Sequence, residues 1–261
     1  MLKNIVIIGS GNLATQLARV LNNNGFAIKQ IYSRHIKNAK LLADKYSTIY
    51  INTLKELISN ADIYIIAVAD NAIEQVVNEI EDKNFFVVHT SGSVGMEVLY
   101  KFNNYGVIYP LQTFSKNKIP KFKDIPFLIE SNSNENDNRI KHFVSCIGSE
   151  IILNVTSEQR KHIHLAAVFA CNFTNYMYNI AHRILQKNDI PFTIFHPLIK
   201  ETADKVIKSL PLQVQTGPAV RKDYSVLEKH NAMLIQYPMY KEIYNIISRS
   251  IIEERWIKND L

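Results

Sequence analysis

The chain has little that would cross-link it or anchor it in a membrane. Its 261 residues include two cysteines, Cys146 and Cys171. Two cysteines cannot build a disulfide framework, they are not spaced as metal ligands, and a reduced compartment suits them. No metal site is expected. The longest apolar runs, Ile63–Ala69 and Ile5–Ile8, are strand-sized, well short of the roughly 20 residues that cross a bilayer. A first strand starting within a few residues of Met1 leaves no room for a signal peptide, so a mature, cytoplasmic protein is expected, with no membrane partner. Like-charged blocks are missing too. The net charge is +6, but its basic residues are spread along the chain and read as a solvated exterior. An aromatic-basic platform and a recognition helix are both absent, so no nucleic-acid partner is expected. There is no repeat and no low-complexity linker.

What remains is the composition of a folded globular protein, with 47% hydrophobic and 21% charged residues and enough length for two ordinary domains. Residues 4–8 form a β-branched run, followed by Leu13, Leu17, Val20 and Leu21 at helical spacing as far as Gly25, a C-cap. Strands at 27–32, 63–68, 85–89 and 105–109 alternate with helices at 36–46, 72–81 and 94–103. That alternation implies right-handed crossovers and a mainly parallel, doubly wound sheet. Strands at 126–130 and 150–153, flanking a helix around 135–146, extend it. From Thr156 onward the periodicity is helical, interrupted mainly by Pro191, Pro197, Pro211, Pro218 and Pro238. Thr156-Ser157-Glu158-Gln159 starts a helix with capping residues, and no Pro or Gly follows before Asn188. One helix of about thirty residues is expected there, of the kind that lies in a bundle or a subunit interface. The expected fold class is thus α/β, with residues 1–154 forming the sheet domain and residues 155–261 an all-α domain.

The first strand runs directly into Gly9-Ser10-Gly11-Asn12-Leu13-Ala14. Gly9 permits the tight turn, Gly11 lets the backbone approach a pyrophosphate, and Ala14 allows helix and strand to pack closely. The helix N-terminus behind them offers N–H groups and partial positive charge to phosphates. Such a turn opening an amphipathic helix after an N-terminal strand reads as a dinucleotide site. The second strand ends Tyr32-Ser33-Arg34-His35, without the carboxylate that would hold a ribose 2′-hydroxyl. Ser33 and Arg34 instead suit a 2′-phosphate, so NADP(H) is favoured over NAD(H), and a methyltransferase is disfavoured.

The third and fourth strands end in Ala67-Val68-Ala69-Asp70 and His89-Thr90-Ser91-Gly92-Ser93, at the crevice where ligands sit in such sheets. Val68, Ala69 and Thr90 leave room for a nicotinamide ribose. Asp70 either faces the cofactor or caps the next helix. Ser91 and Gly92 either hold a substrate carboxylate or carbonyl or simply cap the following segment.

These segments, together with Tyr109-Pro110-Leu111-Gln112-Thr113-Phe114 and the helical half, resemble the Rossmann-like NADP oxidoreductases that carry a C-terminal helical domain of unknown function. Pyrroline-5-carboxylate reductase and deazaflavin-dependent NADP reductases are distant relatives. The resemblance implies a two-domain subunit, a homodimer formed through the helical half, and a site between the domains. It supplies no substrate, and deazaflavin use is discounted.

In the helical half, His164, Val168, Cys171, Asn172 and Asn175 recur three or four apart, on one helical face. His164 is read as a proton donor and Asn172 as an orienter of substrate or nicotinamide. Related dehydrogenases place a Lys or His and an Asn along the corresponding helix. Here the pair is eight residues apart, not four, and the alternative is that the face packs across helices. Asn175 is a further substrate candidate. Thr216–Asp223 reads as a Gly-Pro turn with a charged tail, in which Arg221 either binds an anionic substrate or pairs with Asp223. His89 and Gln112 are weaker candidates. The resulting expectation is an NADP(H)-dependent oxidoreductase reducing a small carbonyl or imine compound. A non-catalytic NADP(H)-binding sensor or scaffold is the rival.

Overall fold

The computed structural model describes residues 2–257. The chain falls into two compact units, one ending at Cys171 and the other beginning at Asn172.

The first unit is built on an eight-stranded sheet in the order β3-β2-β1-β4-β5-β6-β7-β8. Its strands are β1 (Asn4–Ile8), β2 (Ala27–Tyr32), β3 (Ile49–Ile51), β4 (Ile63–Ile66), β5 (Phe86–His89), β6 (Asn104–Pro110), β7 (Phe127–Ser131) and β8 (Ile152–Asn154). All neighbours pair in parallel except β6 and β7. Helices α1 (Asn12–Asn23), α2 (Ile36–Ala43), α3 (Asp70–Glu79) and α4 (Asn134–Cys146) cover the faces, and α5 (Ser157–Ala167) follows β8. Strands buried on both faces carry unbroken apolar runs. Along β1 and β4, Ile5, Ile7, Ile63 and Ile65 enter one core layer, while Val6, Ile8, Tyr64 and Ile66 enter the other. The strand order reverses between β1 and β4, and the resulting crevice lies at the carboxyl ends of the strands.

Several local expectations are corrected. The helix expected over 94–103 is only a 3-10 turn at Met96–Leu99, its start held instead by Arg160 on the Val94 carbonyl and by Ser157 on the Met96 N–H. The second helix closes as a 3-10 turn at Asp44–Tyr46, and the short strand β3 follows where none was expected. β8 begins at Ile152, two residues beyond the expected strand start at 150.

The long helix is present as α5, a π-helical segment Val168–Phe173, and α6 (Thr174–Gln186). Its start is the expected capping box between Thr156 and Gln159. A π turn winds more residues per turn than an α turn. The 3.6-residue spacing that placed His164, Cys171, Asn172 and Asn175 on one face therefore does not hold across it.

The second unit continues with α7 (His196–Lys208), α8 (Pro211–Val214), α9 (Pro218–Arg221), α10 (Tyr224–Met233) and α11 (Pro238–Ile257). Pro197, Pro211, Pro218 and Pro238 sit in the first turns of these helices. They start helices more than they break them, since a missing N–H costs nothing at that position.

Candidate functional site

The crevice of the first unit is a cleft of about 450 Å³, within the size range of small-molecule sites. The turn after β1 forms its floor. Gly9 has φ +138, and a Cβ there would collide with the Ala67 carbonyl, so only glycine lets β1 turn this close to the end of β4. A Cβ on Gly11 would meet nothing within 4 Å. Gly11 is also the N-cap of α1 and supplies no capping side chain. The helix therefore presents its first N–H groups to open space, a cradle that fits a pyrophosphate. Leu13 lines the same floor. Asn12 does too, although its side-chain amide is engaged, donating to the Phe114 carbonyl at 3.0 Å.

At the end of β2, the Ser10 hydroxyl donates to Ser33 Oγ at 2.9 Å. Ser33 is buried, Arg34 is exposed, and both line the cleft beside His35 and Asn38. β2 itself ends without a carboxylate, although Glu79 of α3 also lines this part of the cleft, and Ser33 with Arg34 fits a 2′-phosphate better than a free ribose hydroxyl. His35, Asn38 and Tyr32, together with Gln75 and Glu79 of α3, were not singled out from sequence. Tyr32 comes with the end of β2 and His35 with the start of α2, while the packing of α2 and α3 brings Asn38, Gln75 and Glu79.

Val68, Ala69 and Asp70 line the middle of the cleft. Ala69, not Asp70, is the N-cap of α3, which corrects the capping alternative. The Asp70 carboxylate accepts a hydrogen bond from the Ser93 hydroxyl. Thr90 is buried, with its hydroxyl donating to the Ile66 carbonyl at 3.1 Å. Ser91 Oγ accepts the N–H groups of Ser93 and Val94 at 3.1 and 3.0 Å. The loop after β5 is thus capped by Ser91 itself.

Gly92, Tyr109 and His164 meet at the far end. Tyr109, near the end of β6, lies with its hydroxyl 3.0 Å from His164 Nδ1, the rings edge-on at 5.9 Å between centroids. A Cβ on Gly92 would stand 2.7 Å from both His164 Nδ1 and Tyr109 Cζ. Glycine is therefore what lets the loop lie against this pair. Burial, and next the charge of Asp70, raise the Tyr109 phenol. It is a protonated donor at neutral pH. Sequence reasoning placed Tyr109 in a motif but gave it no role, although its position at a strand's carboxyl end was a usable signal.

Behind this end lies the buried Arg160, 0% exposed. It pairs with Glu130 of β7, and its second Nη donates to the Val94 carbonyl at 2.7 Å and to Ser157 Oγ at 3.2 Å. Nearby, His89 accepts the Ser91 N–H at 3.2 Å. Burial, and next the Arg160 guanidinium, push its imidazole down to about 4.

The cleft is lined by residues of the first unit, His164 among them. Asn172, Asn175 and Arg221 belong to the second unit and are exposed. Among the described residues no cluster of three or more His, Cys, Asp or Glu could hold a metal, and no helix is long and apolar enough to cross a membrane.

Comparison with known proteins agrees with this geometry. Residues 4–91 match the family described as NADP oxidoreductase coenzyme F420-dependent, and residues 125–251 match a domain of unknown function, DUF2520. No curated protein matches the chain. Among solved structures, a "putative NADP oxidoreductase" of Bacteroides fragilis is 44% identical, with a TM-score of 0.91, over 96% of this chain and 98% of its own. A protein of Thermotoga maritima is 26% identical, with a TM-score of 0.76, over 95% of this chain and 99% of its own. A reductive aminase of Aspergillus terreus, in complex with NADPH and ethyl-5-oxohexanoate, shares the fold at 15% identity and a TM-score of 0.75, over 99% and 95% of the two chains. With its glycine turn at the start of α1, its basic β2 end and this whole-length likeness, the chain belongs to the NADP oxidoreductases that join a Rossmann-like cofactor domain to this C-terminal domain.

Proposed function

We propose that this NADP oxidoreductase reduces a small carbonyl or imine compound at the end of the cleft where β4, β5 and β6 terminate. The single observation that carries the reading is the Tyr109–His164 hydrogen bond of 3.0 Å, packed against Gly92. When bound, NADPH supplies the hydride. The chain's own residues do the rest. Gly9, Gly11 and the α1 N-terminus hold the pyrophosphate, and Ser33 and Arg34 hold the 2′-phosphate. Val68, Ala69 and Thr90 shape the passage for the nicotinamide ribose.

Tyr109 gives its proton to the substrate oxygen or nitrogen as the carbon is reduced, and His164 passes a proton from Nδ1 to the phenolic oxygen. One proton and one hydride are consumed per alcohol or amine formed, and solvent then reprotonates His164. The short transfer distance suits general acid catalysis. In the second unit, Asn172, Asn175 and Arg221 remain the candidates for substrate contacts, Arg221 for an anionic group. A homodimer through the helical unit is part of this reading, supported by the exposed apolar side chains of that unit. A cytoplasmic location is supported by the two free cysteines.

The test is calorimetric titration of NADPH and NADH into the wild type and Arg34→Ala, followed by NADPH oxidation with a panel of imines and ketones in wild type and Tyr109→Phe. Loss of the charge-assisted contact weakens NADPH by about 1.5–3 kcal/mol and leaves NADH nearly unchanged. Tyr109→Phe lowers turnover at least tenfold without weakening NADPH. NADPH binding without turnover of any imine or ketone supports a sensor instead.

A further inference from the structure

Arg160 takes no part in the chemistry above, yet it is the largest fully buried side chain in the first unit's core. Its guanidinium reaches three separate segments. One Nη pairs with Glu130 on β7. The other donates to the Val94 carbonyl, in the loop that carries Gly92, and to Ser157 Oγ, in the first turn of α5. Ser157 closes the network. Its hydroxyl donates to Glu130 at 2.7 Å and accepts the Met96 N–H at 2.9 Å, and its own N–H donates to Glu130 at 2.8 Å. Arg160 and His164 stand four residues apart on α5, so they share a face, one turn separating them. The network therefore fixes both partners of the close contact at the cleft end, the loop at Gly92 through Val94 and Met96, and the imidazole through α5.

We propose that Arg160, with Glu130 and Ser157, is a positioning residue that holds the Gly92 loop and His164 in register with Tyr109, so that the proton-donating pair is set before substrate arrives. This rests on the assignment of Tyr109 and His164 as the donor pair. A planar fork is needed because the Glu130 carboxylate and the Val94 carbonyl are separate acceptors, and the point charge of lysine reaches only one of them. Arg160→Lys thus keeps a cation opposite Glu130 and gives up the bond to the loop.

The test uses the full chain with ring-labelled histidine. The His164 ¹⁵Nδ1 signal is assigned by its loss in His164→Gln. In the wild type, Tyr109→Phe removes the bond to Nδ1 and shifts that signal. In Arg160→Lys the same Tyr109→Phe change shifts it by less than a third as much, with NADPH affinity within twofold of wild type. In parallel, NADPH oxidation with 2-methyl-1-pyrroline as the probe imine falls about tenfold in Arg160→Lys. The losses from Arg160→Lys and Tyr109→Phe are then sub-additive, since both act through one pair. Ser157→Ala leaves the ion pair in place and removes one leg of the network. It gives a smaller change of the same sign, and it decides the matter if Arg160→Lys does not fold. A full-sized Tyr109 effect in these variants, or additive losses, overturns the proposal. If the spectroscopic coupling is lost as expected but the wild type and Tyr109→Phe reduce nothing, the positioning stands and the catalytic assignment of the pair fails.

Discussion

The two units differ in where their apolar surface goes. In the first, the central strands bury most of their apolar side chains in two core layers, and only the edge strands β3 and β8 expose some, Ile49, Tyr50 and Leu153. In the second, only Ala219 and Leu227 are buried among the described residues, while Ile207, Leu210, Met233 and Ile235 are between 63% and 79% exposed. A sheet covered by helices on both faces closes its own core. Helices whose apolar stripes find no partner within the unit leave surface that favours association. The comparison teaches that the first unit is complete as a fold, whereas the stability of the second depends on what covers it.

The sharpest way to break that contrast is to charge the open surface. Two variants do so, Ile207→Glu with Leu210→Glu, and Met239→Glu with Ile246→Glu, the latter two turns apart on α11. If a second copy covers this surface, each lost apolar contact is worth about 1.5–3 kcal/mol. The dimer then weakens, from dissociation too slight to detect to a dissociation constant of micromolar or above, read by analytical ultracentrifugation, and the melting temperature falls. Two variants that both stay dimeric would mean that another partner, or none, covers these residues.

The next effect belongs to the closed unit. His89 is fully buried and its imidazole sits near 4, below the ordinary 6.5. The unfolded chain therefore binds the extra proton first, between those two values. Stability is complete above about pH 6.5 and declines as pH falls toward 4, by about 3 kcal/mol for this group. Urea denaturation across pH 4–7 checks the slope, which His89→Asn flattens.

The smallest effect marks the entrance to α5. Thr156 caps it, its hydroxyl accepting the Gln159 N–H at 3.2 Å while Gln159 reaches back to the Thr156 N–H at 2.9 Å. Thr156→Ala lowers stability by about 1 kcal/mol, measured by chemical denaturation. Oligomeric state is unchanged, because the cap serves the closed unit.

Legibility follows the same division. The turn from Gly9 to Ala14 was readable because glycines answer to local backbone demands, and Ser33 with Arg34 because the end of β2 faces the ribose in any such sheet. The capping box at Thr156 is local too. Gly92 was named from sequence for its place at a strand end, but its reason, the approach of Tyr109 and His164, comes from β6 and α5. Arg160 has no role legible in the sequence, since its partners Val94 and Glu130 lie 66 and 30 residues away. The helix expected over 94–103 fails to form for the same reason, because that segment is held by contacts distant in sequence.

By itself, then, the sequence determined the alternation of strands and helices, the glycine turn that opens α1 and the basic end of β2, all of which depend on neighbours within a few residues. Only the tertiary structure decided that Tyr109 and His164 share a hydrogen bond, that a glycine must stand beside them, and that a buried arginine bonds to the loop behind them. Those contacts join strands and helices far apart in the chain, and no local spacing encodes the distance between them.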